Sequence, residues 1–201
     1  MTTLTRTSTL NRKFPVETLT SAEVRKLVMK CSPSAATGIR NRALLITLWR
    51  CGLRISEALA LYPKDIDAKE GTIRVLHGKG DKCRVVGIDP QALAVIEKWL
   101  DKRKSLDING HHRLFCTLKG KPVQTVYVRN MMKSKARKAG IEKRVHPHGL
   151  RHSCASDLRQ EGVDIGVISK QLGHSSIATT AHYLDHILPK TVIEAMQGRA
   201  W

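Results

Sequence analysis

The sequence predicts a mainly α fold with a small antiparallel β-sheet (α+β). Three observations lead there. Apolar residues recur at helical spacing along most of the chain, and many of these stretches open on a recognisable cap. Two short runs rich in Val and Ile flank Gly78-Lys79-Gly80-Asp81, a hairpin signal. No internal repeat and no low-complexity linker divides the 201 residues, so one domain is expected.

In chain order, residues 1–13 are rich in Thr and Ser, carry Arg6, Arg12 and Lys13 without an acid, and are expected as a flexible basic arm. Thr20-Ser21-Ala22-Glu23 is a capping box, opening a helix with Val24, Leu27, Val28 and Cys31 on one face. Pro33 and Gly38 mark a loop; a strongly apolar helix then runs from about Ile39 to Cys51, with Gly52 as its cap. A short helix carries Ile55, Ala58, Leu59 and Leu61 and halts near Pro63. Strands are expected over 72–77 and 82–88.

Asp89-Pro90 caps a helix with Leu93, Ile96 and Leu100 inward, and residues 101–123 read as a polar connection around Leu114-Phe115-Cys116. A helix from about Thr125 to Ala139 stops at Gly140. Pro147 suits a first helical position, with Leu150, Cys154 and Leu158 as the inward stripe up to Gly162. Asp164 caps a shorter helix ending at Gly173, Ser175 or Ser176 caps the segment bearing Tyr183, and Pro189 opens a final helix.

Composition narrows the function. Lys and Arg number 35 against 17 acids, a formal charge of +18 and a pI near 10.1, which points to a polyanion and most often to nucleic acid. From Lys119 to Arg151 stand ten basic residues and one acid, Glu142; the block reads either as a solvated helix face or, given the charge of the whole chain, as a surface that tracks a DNA backbone. Candidate DNA contacts are Lys82, Arg84, Lys119, Arg129, Lys133 and Arg137. Five scattered cysteines form no C-x-x-C pair, which argues against a disulfide framework or zinc ribbon and for a reducing, cytoplasmic setting. No apolar run is long enough for a membrane span.

The chemistry concentrates between His146 and Tyr183. His148 and Arg151 lie three apart on one helix face, in a first turn whose free N–H groups and dipole favour an anion. A guanidinium can donate two parallel bonds to phosphate oxygens, so this pair suits a phosphodiester. His174 follows Gly173 at a helix end, where an imidazole can project; taken singly it reads first as a core or surface histidine and Tyr183 as a packing residue, and only the combination carries the functional reading. His146, His148, His152 and Cys154 lack regular metal-ligand spacing, and Gly78-Lys79-Gly80 lacks the full phosphate-loop frame, so no metal or nucleotide cofactor is expected.

H-P-H-G-L-R-H (146–152), L-G-H-S-S-I-A-T-T-A-H-Y (172–183) and C-G-L-R-I-S-E-A-L-A-L (51–61) resemble three motifs of the tyrosine recombinase (phage integrase) family, in its order. The similarity spans roughly residues 15–195 and implies that family's catalytic-domain fold over 14–201, with a C-terminal tail helix. It places the family's arginines on Arg54 and Arg151, its histidines on His148 and His174, its hairpin lysine on Lys79 and its nucleophile on Tyr183. Read bare, Arg54 could instead pair with Glu57.

The resemblance implies site-specific recombination (integration, excision or inversion) through a 3′-phosphotyrosyl intermediate, without metal or ATP. Its partners would be double-stranded DNA with inverted-repeat sites, three further copies of the chain on DNA (a monomer when free) and accessory DNA-bending proteins, with no membrane. The implied setting is the cytoplasm, at the nucleoid. Only a short arm precedes the similar region, so a short recombinase without the family's N-terminal core-binding domain, or a fragment of a longer enzyme, is expected. A type IB-like topoisomerase and a catalytically idle DNA-binding regulator are the alternatives.

Overall fold

Helix α2 (Ala36–Arg50) is buried almost all round, from Gly38 through Trp49, and the rest of the chain is wrapped on it. Its apolar residues are spread over every face, so it can only be an interior helix. In the computed structural model, which describes residues 18–76, 83–174, 176–185 and Gln197, α2 packs against α1 (Ser21–Met29), α3 (Ile55–Ala60), α4 (Pro90–Lys104) and α6 (Pro147–Gln160). Helices α5 (Thr125–Lys138), α7 (Ile165–Leu172) and α8 (Ile177–Asp185) complete the helical part. The core is aliphatic, with Trp49, Trp99 and Phe115 as its large aromatics.

Among the described residues one antiparallel sheet is present, in the order β1 (Ile66–Asp67), β2 (Thr72–Val75), β3 (Arg84–Gly87), with Ile73 opposite Val86 and Val75 opposite Arg84. Period-2 alternation turns Ile73, Val75 and Val86 inward and leaves Arg74 and Val85 outside. Both long strands are shorter than expected. The turn 78–81 between them lies outside the described residues, as do the basic arm over 1–13, Lys79, Lys82 and the helix expected after Pro189.

Two expectations need correction. Gly38 lies inside α2 rather than in the preceding loop, because the helix starts three residues earlier than its apolar pattern. Its missing side chain lets α2 approach Ser32, whose carbonyl oxygen would stand 2.3 Å from an added Cβ. The connection after residue 101 is not simply polar: α4 continues to Lys104, and buried Arg103 donates to the carbonyls of Asn109, His112, Arg113 and Leu114. One guanidinium thus supplies the donors a buried loop requires.

Polar ties place α6, which carries His148 and Arg151, and α7, which leads into His174. Asp157 of α6 accepts from Trp49 Nε1 and from Ser21 Oγ, both at 2.8 Å, locking α6 to α2 and α1. Gln171 of α7 exchanges two bonds with the backbone of Gly87, at 3.0 and 2.9 Å, and so clips α7 to β3. Gly52, at φ +63°, brings the end of α2 against α6 and α7; an added Cβ there would stand 2.6 Å from Leu172.

Candidate active site

Helix α6 begins as its sequence predicts, with Pro147 at the first position and His146 as N-cap, whose Nδ1 accepts from Gly149 N at 3.1 Å. That bond uses Nδ1 as an acceptor and gives His146 a structural task. His148 stands in the first turn, open to solvent on one side and with its ring edge-on to His152 at 4.5 Å between centroids. One turn on, Arg151 is 1% exposed and its guanidinium donates to Gly52 O at 2.7 Å and Leu172 O at 2.6 Å.

Helix α7 ends on Gly173 in the left-handed conformation, a cap that reverses the chain and returns the His174 N–H to Ser169 O. His174 Nδ1 lies 2.8 Å from Thr180 Oγ1, which ties α7 to α8. Tyr183 lies three residues beyond Thr180 in α8.

Arg54 comes from the loop after α2 and N-caps α3. Its NH1 donates to Glu57 Oε1 at 2.7 Å, its backbone N–H to Glu57 Oε2 at 2.9 Å, and its NH2 to Gly173 O at 3.4 Å. The pairing with Glu57 noted as the plain alternative therefore exists, alongside placement at the site. Arg54 and Arg151, 97 residues apart in the chain, reach the consecutive carbonyls of Gly173 and Leu172.

The electrostatics reflect this convergence. Burial, then the charges of Arg151, Arg54, His148 and Arg84, push His174 down to about 4. His148 is lowered by partial burial, then by Arg151, His146 and Arg54. His152 is pushed down to about 3 by burial and then by its histidine and arginine neighbours. Burial raises Glu57, but hydrogen bonds from Arg84 and Arg54 outweigh it and hold the carboxyl at about 2. At neutral pH the site therefore joins uncharged imidazoles to guanidiniums. An arriving anion meets positive charge, and an imidazole remains able to take a proton.

Four of the six expected catalytic residues, Arg54, His148, Arg151 and His174, are brought together with their side chains described. Tyr183 is placed by its helix, and Lys79 lies outside the described residues. The expected DNA contacts divide. Arg129, Lys133 and Arg137, spaced i, i+4 on α5, line a groove with Arg144, His146 and His148, and Ile55, the residue after Arg54, also lines it. Lys119 is exposed but does not line that groove, and Lys82 is not described.

Arg84 is placed differently from the other expected contacts. It turns inward and binds Glu57 with both terminal nitrogens, at 3.0 and 2.9 Å, instead of lying on an open basic surface. The signal was present, since residue 84 shares its strand face with buried Val86. Glu57 reads from sequence as a partner for Arg54, and its R-x-x-E spacing and place on an apolar helix are the signals of a buried carboxylate.

The sequence pattern of the phage integrase family matches residues 17–187. Among curated relatives, tyrosine recombinase XerD of Bifidobacterium longum (strain NCC 2705) is 35% identical over 188 residues, covering 89% of this chain and 60% of that protein. Tyrosine recombinase XerC of Thermodesulfovibrio yellowstonii (strain ATCC 51303 / DSM 11347 / YP87) is 36% identical over 181 residues, covering 88% and 60%. The chain thus spans about 60% of the length of these relatives. Among solved structures, XerA recombinase aligns with TM-score 0.78 at 32% identity, covering 92% of this chain and 66% of that one. XerH site-specific recombinase bound to palindromic difH substrate, a post-cleavage complex, aligns with TM-score 0.74 at 30% identity, covering 94% and 55%.

Proposed function

Because the chain belongs to the phage integrase family, we propose that it is the catalytic domain of a tyrosine site-specific recombinase. The observation that carries the reading is the meeting of Arg54 and Arg151 at the Leu172–Gly173 turn, beside His174. A phosphodiester in attack gains negative charge on its non-bridging oxygens, and two guanidiniums with an imidazole at hand supply the donors for it.

In this reading the Tyr183 oxygen attacks the scissile phosphorus and the bond to the 5′-oxygen breaks. The products are a 3′-phosphotyrosyl link and a free 5′-hydroxyl. A phenol ionises near ~10, so its proton must leave during attack, and neutral His148 is the group assigned to receive it. Lys79 delivers a proton to the departing 5′-oxygen. Arg54, Arg151 and His174 hold the phosphoryl group. One phosphodiester replaces another, so rejoining to the 5′-hydroxyl of a partner strand needs neither ATP nor a metal ion.

DNA enters along the α5 groove, where Arg129, Lys133 and Arg137 meet the backbone and lead it toward His148. The XerH relative was solved on a palindromic substrate. Inverted-repeat DNA, a tetramer on that DNA with the tail after Pro189 docked on a neighbour, and assistance from DNA-bending proteins complete the proposal. No helix among the described residues is long and apolar enough to cross a membrane.

The test offers the protein a pool of nicked duplexes of randomised sequence and recovers DNA that stays attached through denaturing detergent. A recombinase enriches a defined inverted repeat. Efficient relaxation of supercoiled plasmid without such a repeat would mean a topoisomerase, and absence of any adduct would sink both enzymatic readings.

A further inference from the structure

Arg84 has no step in the reaction above, yet it sits under it. Its side chain is 14% exposed and that of Glu57 only 1%. One carboxylate serves two guanidiniums: Oε1 accepts from Arg54 NH1 at 2.7 Å and from Arg84 NH1 at 3.0 Å, while Oε2 accepts from the Arg54 backbone N–H and from Arg84 NH2, both at 2.9 Å. The opposite side of Arg84 lies against the turn that ends α7. An added Cβ on Gly173 would stand 2.7 Å from Arg84 Nε and 2.8 Å from its Cζ. Gly173 O accepts from Arg54, and His174 is the next residue.

We infer that Arg84 is a positioning residue of the phosphate site, which orients Arg54 by sharing Glu57 with it and supports His174 by packing under Gly173. The inference rests on the reading of the site as one that cleaves a phosphodiester.

Geometry and charge both support it. A buried carboxylate opposite a single guanidinium tends to form a two-pronged pair with it. Arg54 makes one side-chain bond to Glu57, sharing Oε1 with Arg84, while Oε2 is shared by the Arg54 backbone N–H and Arg84; the Arg54 NH2 is directed to the Gly173 turn instead. Charge follows the same logic. Arg54 and Glu57 alone would cancel; with Arg84 the three groups sum to +1, so an anion still meets net positive charge. The same cation is among those that keep His174 uncharged. Arg84 also opens β3, the strand that follows the segment bearing Lys79, and its ion pair fixes that strand to α3.

The experiment compares Arg84→Met, Arg84→Lys, Glu57→Gln and the Met/Gln double variant, each first checked for a native thermal unfolding transition. Two readouts are used: single-turnover adduct formation at saturating DNA, on the repeat selected from the randomised pool, and NMR titration of the His174 imidazole in free protein. Arg84→Met is expected to slow adduct formation by about 10- to 100-fold, the scale of a small misplacement of catalytic groups. Affinity for the repeat should stay within about twofold, since no direct phosphate contact is lost. Arg84→Lys restores charge without the two-pronged geometry and should recover the rate only in part. The double variant should be no slower than the worse single one, because both substitutions break one contact.

Loss of a nearby positive charge should also move the His174 titration to higher pH. Unchanged adduct rates would overturn the inference, as would a lost rate restored by excess DNA, which marks a docking residue. If wild-type protein forms no adduct at all, the recombinase reading fails by itself. The titration then decides alone: a His174 midpoint the same in Arg84→Met and wild type rejects Arg84 as part of the site.

Discussion

Arg151 and Arg54 end on neighbouring carbonyls of one helix terminus, Arg151 NH2 on Leu172 O at 2.6 Å and Arg54 NH2 on Gly173 O at 3.4 Å. Arg151 arrives from α6 and is held by two backbone carbonyls, whereas Arg54 arrives from the loop that caps α3 and is held by Glu57 as well as by Gly173 O.

Arg151→Ala should lower adduct formation by about 10²- to 10³-fold, the usual effect of removing a donor that meets developing charge. The guanidinium also satisfies two buried carbonyls, so the same substitution should cost about 1–3 kcal/mol of stability. Chemical denaturation measures the second effect and single-turnover cleavage at saturating DNA the first. Equal losses of cleavage and affinity with stability intact would make Arg151 a docking residue.

Stability should fall as the solution is acidified, in two windows. His174 and His152 titrate at about 4 and about 3 in the folded chain against an ordinary 6.5, so the unfolded chain binds more protons between those values. Their contribution is complete above 6.5 and is lost as pH falls toward the folded values. Glu57 adds a second window, complete above its ordinary 4.5 and lost toward about 2. Thermal melts from pH 7 to pH 4 should show a declining midpoint, flatter in His152→Gln if the protein folds. A midpoint rising over that range contradicts the assignment.

Gly52→Ala should destabilise the protein by about 1–3 kcal/mol, since its φ of +63° is unfavourable to any side chain and a Cβ would meet Leu172 at 2.6 Å. Cleavage should fall too, because Gly52 O is one of the two acceptors holding Arg151. Gly140→Ala makes the comparison, with a similar φ of +66° but open space around it, and should lose stability without losing rate.

DNA binding should weaken steeply with salt, and Arg129→Ala, Lys133→Ala and Arg137→Ala should each reduce the slope of log affinity against log salt by about 1. Lys119→Ala, outside the groove, should leave that slope nearly unchanged. Filter binding across a salt series measures both.

Much of this arrangement was legible because it is local. The capping box at Thr20, the Asp89-Pro90 and Pro147 helix starts and the Gly173 stop all act within a few residues, and the structure has them as expected. What sequence could not supply was the long-range pairing. Arg84 reads as another basic residue because its partner, Glu57, lies 27 positions away on α3. Arg103 likewise reads as surface charge until its carbonyl acceptors gather around it. Gly38 differs for another reason: a glycine that permits close packing inside a helix looks, in sequence, the same as one that lies in a loop.

The most direct measurement digests the trapped protein–DNA adduct and identifies, by mass spectrometry, the amino acid that carries the nucleotide. The account predicts Tyr183, joined to a 3′-phosphate, with no adduct from Tyr183→Phe. Attachment at another residue, or to a 5′-phosphate, would contradict it.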